Sequence, residues 1–251
     1  MLELRNLSRH FGGVKAVDEL NLTVRRGEIL GLIGPNGSGK STTVNLITGV
    51  YLPTTGDVVF QGQDISKLAP HERCELGLAR TFQNIRLFGH LTVWQNLWAA
   101  RVVRERGWAG FKERWLSGAN AAREQAEELL VFGGLAHKRD MLAGNLAFGE
   151  QRRLELIRAA ASGAELLLLD EPAAGMNAEE IEDLDNRIRS LRDQGRTILL
   201  IEHHMELVME VCDRVAVLNF GRKIAEGTPA QVQQDAQVRA AYLGTDEAAT
   251  T

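Results

Sequence analysis

Apolar positions in the first third of the chain recur mainly at every second residue. Leu2, Leu4 and Leu7 predict an opening strand, and Leu20, Leu22 and Val24 alternate with polar residues. Glu28 to Ile33 is a compact apolar run that ends in the glycine-rich segment Gly34 to Gly39. A helix is predicted from Lys40 to about Thr48, stopped at Gly49. Residues 57–61 and 78–82 predict further strands, so this third reads as strands with one short helix. The stretch from about 84 to 163 changes character. Val93 to Val103 and Ala121 to Phe132 are rich in helix formers, which predicts a mostly helical lobe with a loop at Gly107 and Gly110. All four tryptophans fall there: Trp94, Trp98, Trp108 and Trp115. Such a cluster reads either as core packing or as a contact surface for a partner. In the last third, Leu166–Leu169, Thr197–Ile201 and Val215–Leu218 are buried-type strands, and Ile181, Leu184, Ile188 and Leu191 follow helical spacing. Strands alternating with helices predict an α/β fold whose parallel sheet is covered on both faces. Only the tail, Thr245 to Thr251, reads as frayed.

Composition narrows the classes. The 251 residues are 44% hydrophobic and 25% charged, which suits a globular domain rather than a disordered chain. The formal net charge of −4 makes the chain a poor candidate for gripping nucleic acid, and no such partner is expected. Cys74 and Cys212 form no CxxC pair, which argues against a disulfide framework or structural zinc and fits a reducing compartment. The N-terminus lacks the apolar core of a secretory signal, and no aliphatic run is long enough to span a bilayer. Service to a membrane would have to come through docking on another chain.

The strongest chemical signal is Gly34-Pro35-Asn36-Gly37-Ser38-Gly39-Lys40-Ser41-Thr42, placed between a predicted strand and a predicted helix. Its glycines let the backbone curl so that several N–H groups face one anion, and the helix adds its positive end. In such a cradle Lys40 supplies a point charge for the β- and γ-phosphates of a nucleoside triphosphate, and Ser41 a hydroxyl ligand for Mg²⁺. A second element is the apolar strand Leu166–Leu169 ending in Asp170 and Glu171. The strand delivers both carboxylates to the carboxyl edge of the sheet. There Asp170 can hold Mg²⁺ through water and Glu171 can polarise an attacking water as general base.

Together these residues resemble the nucleotide-binding subunit of ATP-binding-cassette (ABC) transporters. Phe11, 23 residues before Gly34, resembles the aromatic that stacks on adenine. Gln83 resembles the glutamine that senses metal and attacking water where the lobes join. Leu146-Ala147-Phe148-Gly149-Glu150-Gln151-Arg152-Arg153 resembles the signature segment at the start of a helix, Asn177 falls in the loop that crosses the dimer interface, and His203 resembles the histidine that reaches the γ-phosphate. The resemblance covers nearly the whole chain. It implies a P-loop NTPase core with a mostly parallel sheet, an N-terminal antiparallel β subdomain and a helical signature subdomain. Within a single domain of residues 1–251, 1–83 and 164–251 form the core lobe and 84–163 the helical one. It further implies ATP and Mg²⁺, the metal held by Ser41, Gln83 and Asp170, and an Mg-dependent ATPase. Two cassettes sandwich the nucleotide, so that Ala147, Gly149 and Glu150 close a partner's cradle.

Three positions depart from the family pattern. Ala147 stands for the usual Ser and removes a hydroxyl contact. Glu150 stands for Gln and sets a carboxylate near an anion, which Arg152, Arg153 or geometry must offset. Asn177 stands where many members have Asp. More narrowly, the segments Arg80 to Asn96, Gly144 to Arg153, Asp170 to Asn177 and Ile201 to Val208 resemble the ATPase of branched-chain amino acid importers of bacteria and archaea. The insertion around Arg101 to Leu116 also fits; His204, where an Asp is common, has no assigned role. Partners implied are a second ABC ATPase subunit (identical or related), permease subunits spanning the membrane, and indirectly a periplasmic or extracellular binding protein. The location implied is the cytoplasmic face of the cell membrane. Permeases are expected near Gln83 to Leu97, including Ile85, Leu87, Phe88, Trp94 and Trp98. Urea or amide importers and lipopolysaccharide exporters are close relatives. A soluble ABC-type switch protein and a small-molecule P-loop kinase explain less of the pattern.

Overall fold

A computed structural model of the protein describes residues 1–100, 118–203 and 205–246. Trp108, Trp115, Gly107, Gly110, the insertion at 101–116, His204 and the end of the tail at 247–251 lie outside the described residues. A six-stranded sheet runs in the order β10 (Arg222–Gly227), β9 (Arg214–Asn219), β3 (Ile29–Ile33), β8 (Thr197–Ile201), β7 (Leu166–Asp170), β6 (Leu78–Arg80). All neighbours pair in parallel except β10 with β9. Every residue of β3, β7 and β8 is buried, as expected of central strands covered on both faces.

Strand alternation sorts these residues into two cores. Leu30, Leu32, Leu168, Leu199 and Ile201 face helix α1 (Lys40–Ile47) and a second, antiparallel sheet. That sheet is ordered β2 (Val14–Val24), β1 (Leu2–Phe11), β4 (Thr55–Phe60), β5 (Gln63–Asp64). Ile29, Ile33, Leu167, Leu169 and Leu200 face the opposite way, toward later helices. Each fully buried Leu or Ile contributes about 1.5–3 kcal/mol. The α/β architecture and the antiparallel N-terminal sheet are therefore as the sequence predicts.

The first third holds two helices rather than one. Helix α2 (Pro70–Leu76) carries no apolar period, and its one buried residue is Arg73. The Arg73 guanidinium donates to the carbonyls of Leu46 and Ile47 at 2.6 and 2.8 Å, and to those of Ser66 and Leu68. It thereby satisfies the last turn of α1, whose carbonyls have no intrahelical partner. Burial pulls its pKa down to about 10. The strands predicted at 57–61 and 78–82 run instead over 55–60 and 78–80.

Helices α3 (Val93–Ala99), α4 (Gly118–Phe132) and α5 (Phe148–Ala161) build a third core around Val93, Leu97, Leu130, Leu154 and Ile157. On α5, Leu156 and Ala159 belong to the sheet core while Leu154 and Ile157 belong to the helical one, so this helix is the shared wall. Trp94 packs against the helical core. Trp98 stacks on Trp94 with ring centroids 6.2 Å apart and stays exposed. The sheet's far side is covered by α6 (Ala178–Asp193) and α7 (Met205–Val211); α8 (Pro229–Gln234) and α9 (Ala236–Asp246) follow β10.

Candidate active site

Register brings the chemistry to one edge. Leu32 pairs with Ile201, and Ile201 with Asp170, so the carboxyl ends of β3, β8 and β7 lie side by side. Asp170 is the last residue of β7, Gly34 and Glu171 follow β3 and β7 directly, and His203 comes two residues after β8. From β6, the amide of Thr81 extends the ladder to the Leu168 carbonyl, and Gln83 comes two residues later.

The loop from Gly34 to Gly39 is a curled cradle. Gly34, Gly37 and Gly39 all have positive φ. A Cβ at Gly34 would stand 2.2 Å from the Leu218 carbonyl, and one at Gly39 2.5 Å from that of Ala16, so two of these glycines are required by close backbone approach. Pro35 is half-buried, whereas Asn36, Gly37 and Ser41 face outward and Thr42 is half-buried. Lys40 is buried, and its ammonium donates to the carbonyls of Gly34 at 2.6 Å and Pro35 at 3.0 Å. Burial lowers its pKa, while Glu171 and Asp170 act in the opposite direction. Ser38 Oγ is a buried polar atom without a hydrogen-bond partner. Curled glycines, a buried cation and an orphaned hydroxyl fit a phosphate chain.

Asp170 is buried and ion-paired to Arg80 at 2.7 Å; the same guanidinium donates to Asn45 Oδ1 on α1 at 2.7 Å. The sequence reading gave Arg80 no role, yet it bridges the acidic strand end to the cradle's helix. Its alternation in β6 carried no sign of this. Glu171 has a left-handed backbone (φ 48°), which costs about 1 kcal/mol or more in a non-glycine residue, and its amide is anchored to the Ile201 carbonyl. Gln83 Nε2 donates to Glu171 Oε2 at 2.7 Å, and His203 Nδ1 lies 3.8 Å from the same oxygen. The fully buried Glu202 accepts the amides of Ala173 and His203, fixing the turn that presents the imidazole.

Phe11 ends β1, opposite Val14 of the strand whose Ala16 abuts Gly39. Its ring is 41% exposed, meets Tyr51 edge-on at 5.3 Å and lies under the Arg9 guanidinium at 4.6 Å. A flat, partly exposed ring here suits a base.

Ala147, Gly149 and Glu150 are not gathered at the cradle. They form the N-terminal turn of α5 and pack against the loop leading into α6. Phe148 covers Gly175, Gly149 is approached by the Glu180 carboxylate, and Asn177 caps α6 by accepting the Glu180 amide at 3.0 Å. Glu150 is neutralised by Lys138, whose ammonium reaches both its oxygens at 2.6 and 2.8 Å. Arg153 stands 3.9 Å away. Arg152, one of the two arginines expected to offset this carboxylate, donates instead to the Gln83 carbonyl.

A family model described as ABC transporter matches residues 17–174, and a second, described as branched-chain amino acid ATP-binding cassette transporter, matches residues 222–248. The chain is a member of the ABC transporter ATP-binding family. It is 41% identical to the high-affinity branched-chain amino acid transport ATP-binding protein LivG of Escherichia coli, over 97% of this chain and 98% of that one. The lipopolysaccharide export system ATP-binding protein LptB of the same organism is 36% identical, with 98% of each chain covered. Among solved structures, the ADP conformation of MJ1267, an ATP-binding cassette of an ABC transporter, superposes with a TM-score of 0.85. It is 33% identical, covering 97% of this chain and 98% of the other. As an ABC cassette the protein is an ATP-binding ATPase coupled to transport. Among the described residues no helix is long and apolar enough to cross a membrane.

Proposed function

We propose that this ABC cassette powers an importer of branched-chain or other hydrophobic amino acids. The convergence of Gln83 and His203 on Glu171 at the edge of the cradle carries the enzymatic part. The full-length likeness to LivG and the match of the C-terminal segment 222–248 support the substrate class. The likeness to LptB keeps lipopolysaccharide export as the second reading.

The cradle amides and Lys40 bind and orient the triphosphate, and Phe11 stacks on its base. Ser41, Asp170 and the amide oxygen of Gln83 are hard oxygen donors that would hold Mg²⁺ together with phosphate oxygens. When bound, the ion neutralises charge on the β- and γ-phosphates. Glu171 accepts the proton of the attacking water, its carboxylate held by Gln83, and His203 donates to the γ-phosphate. Ala147 offers its backbone, not a hydroxyl, to a partner's nucleotide. Because the signature segment and the cradle of one chain lie apart, two cassettes facing each other are needed to enclose a nucleotide. Release of the γ-phosphate loosens that interface.

The 84–163 region serves as the moving lobe. A cavity of about 360 Å³ between it and the core is lined by Phe82, Phe88, Cys74, Val50 and Arg158, and it receives the permease subunits. Of the residues expected at the permease contact, Phe88 lines this cavity and Ile85, Leu87, Trp94 and Trp98 do not; Leu87 and Trp94 pack against the helical core. The cassette thus works as a peripheral subunit at the cytoplasmic face of a bacterial or archaeal membrane, fed indirectly by a binding protein outside.

Glu171→Gln should reduce ATP turnover of the purified chain by about 10²–10⁴-fold with nucleotide affinity retained. Leucine uptake lost on deleting the gene should return with the wild-type chain and not with the variant. Uptake unaffected by the deletion, with ATPase activity intact, overturns the amino acid reading.

A further inference from the structure

Arg152, near the end of the signature segment, and Glu155, just beyond it, lie on the first turns of α5. Both are buried, 7% and 2% exposed. Two charges taken out of water are costly unless each finds further partners. They face one another at 3.4 Å, but most of their bonds go to the backbone of the segment after β6. The Arg152 guanidinium donates to the carbonyls of Gln83 at 2.6 Å and Phe82 at 3.1 Å. The Glu155 carboxylate accepts the amides of Phe82 at 3.4 Å and Arg86 at 3.3 Å. Here the side chains of α5 supply the partners that a neighbouring strand supplies within the sheet. The Phe82 ring is flanked by the guanidinium groups of Arg80 and Arg86, at 4.9 and 4.6 Å. Burial pushes the Glu155 carboxyl up, opposed by the Arg86 amide and by Arg152.

The consequence is a short mechanical path. Gln83 is held by its carbonyl to Arg152 and by its side-chain amide to Glu171. Displacing the N-terminal turn of α5 therefore displaces the group that fixes Glu171. We propose that Arg152 and Glu155 are positioning residues that tie the signature segment, which faces a partner cassette's nucleotide, to the Gln83–Glu171 contact at this chain's own nucleotide. Engagement of one composite site then sets the geometry of the other. The proposal rests on the reading of residues 34–42 as the ATP site and Glu171 as the general base.

The test uses the purified full-length chain, with turnover measured against ATP concentration and nucleotide affinity measured separately by calorimetry. The wild type is expected to respond sigmoidally to ATP. Arg152→Met should lower kcat about 10- to 100-fold, the scale of a misplacement of about 1 Å, with KM and affinity changed less than about twofold and the Hill coefficient falling toward one. Arg152→Lys keeps one donor and should recover part of the loss. Glu155→Gln keeps an acceptor for the two amides and should show a smaller loss of the same kind. The double variant Arg152→Met, Glu155→Met removes both charges of the pair together, so it tests the idea should a single variant fail to fold. A folded single or double variant with wild-type kcat and Hill coefficient, or a loss confined to KM, overturns the proposal alone. A wild-type chain that neither binds nor hydrolyses ATP overturns the underlying reading with it.

Discussion

Replacing Lys138 by Met removes the cation that makes a carboxylate tolerable at the signature turn. The ammonium lies 2.6 and 2.8 Å from the two Glu150 oxygens, with the side chains 27% and 14% exposed. At roughly 3 Å and an effective dielectric constant of about 20, the gross attraction is on the order of 5 kcal/mol. Desolvation and the ordering of a long side chain take back most of it, leaving about 1–2 kcal/mol. For a domain of this size that is a fall of about 2–8 °C in Tm. The hydrogen bond from Lys138 is the main cause holding the Glu150 carboxyl below its ordinary value of 4.5; burial works against it, and the Ala147 amide and Arg153 reinforce it. A carboxyl depressed in the folded state contributes stability above its unfolded pKa and loses it as pH falls through the folded value. The deficit of the variant should therefore be full at pH 7.5 and shrink below about pH 4.5. Urea denaturation of both proteins between pH 4 and 8 measures it. In a double cycle with Glu150→Gln, the loss from Lys138→Met should nearly vanish. An equal deficit at pH 4 and pH 7.5, or one that persists in the Glu150→Gln background, would show that Lys138 acts by packing and not by charge.

Lys40→Met should weaken ATP binding at least about tenfold by calorimetry while leaving Tm unchanged or raised, because the ammonium is held against its own desolvation. Gly39→Ala combines a φ of 105° with a Cβ 2.5 Å from the Ala16 carbonyl, so a loss of about 3 kcal/mol or more in urea denaturation and no measurable nucleotide binding are expected. Arg73→Met removes the guanidinium bonds to the Leu46, Ile47, Ser66 and Leu68 carbonyls, leaving Leu46 only its bond from the Gly49 amide, and Tm should fall by about 6–12 °C, corresponding to about 3 kcal/mol.

What the sequence disclosed follows from which forces leave a periodic trace. β3, β7 and β8 were legible because burial on both faces demands unbroken apolar runs, and α6 because Leu184, Ile188 and Leu191 must share one face. Helix α2 was not legible, since the only side chain it buries is a guanidinium that bonds carbonyls of another helix. The available signal was Pro70 at the first helical position, with Glu72 two residues on, whose carboxylate accepts the Ala69 amide. Strand β10 lies at the sheet edge, half-exposed along its length, and shows no alternation. The cradle and Asp170-Glu171 were readable because one strand end fixes each of them locally.

The relations among charges are another matter, and Glu150 shows why. From the sequence, the nearest cations that could answer its charge are Arg152 and Arg153, because they are neighbours along the chain. On a helix, however, residues two apart point in different directions, so Arg152 cannot face the side on which Glu150 lies. It turns inward to the carbonyls of Phe82 and Gln83, and Glu155, one turn later, follows it. Arg153, three residues on, reaches Glu150 only at 3.9 Å and is shared with Asp183. The close partner, Lys138, comes from a 3₁₀ turn between α4 and α5, brought there by the packing of Leu135 and Leu146 into the helical core. The charge at this signature turn is therefore balanced by the tertiary fold of the helical region. Any substitution that loosens that core should reach the N-terminal end of α5 through Lys138, without touching a residue of the motif itself.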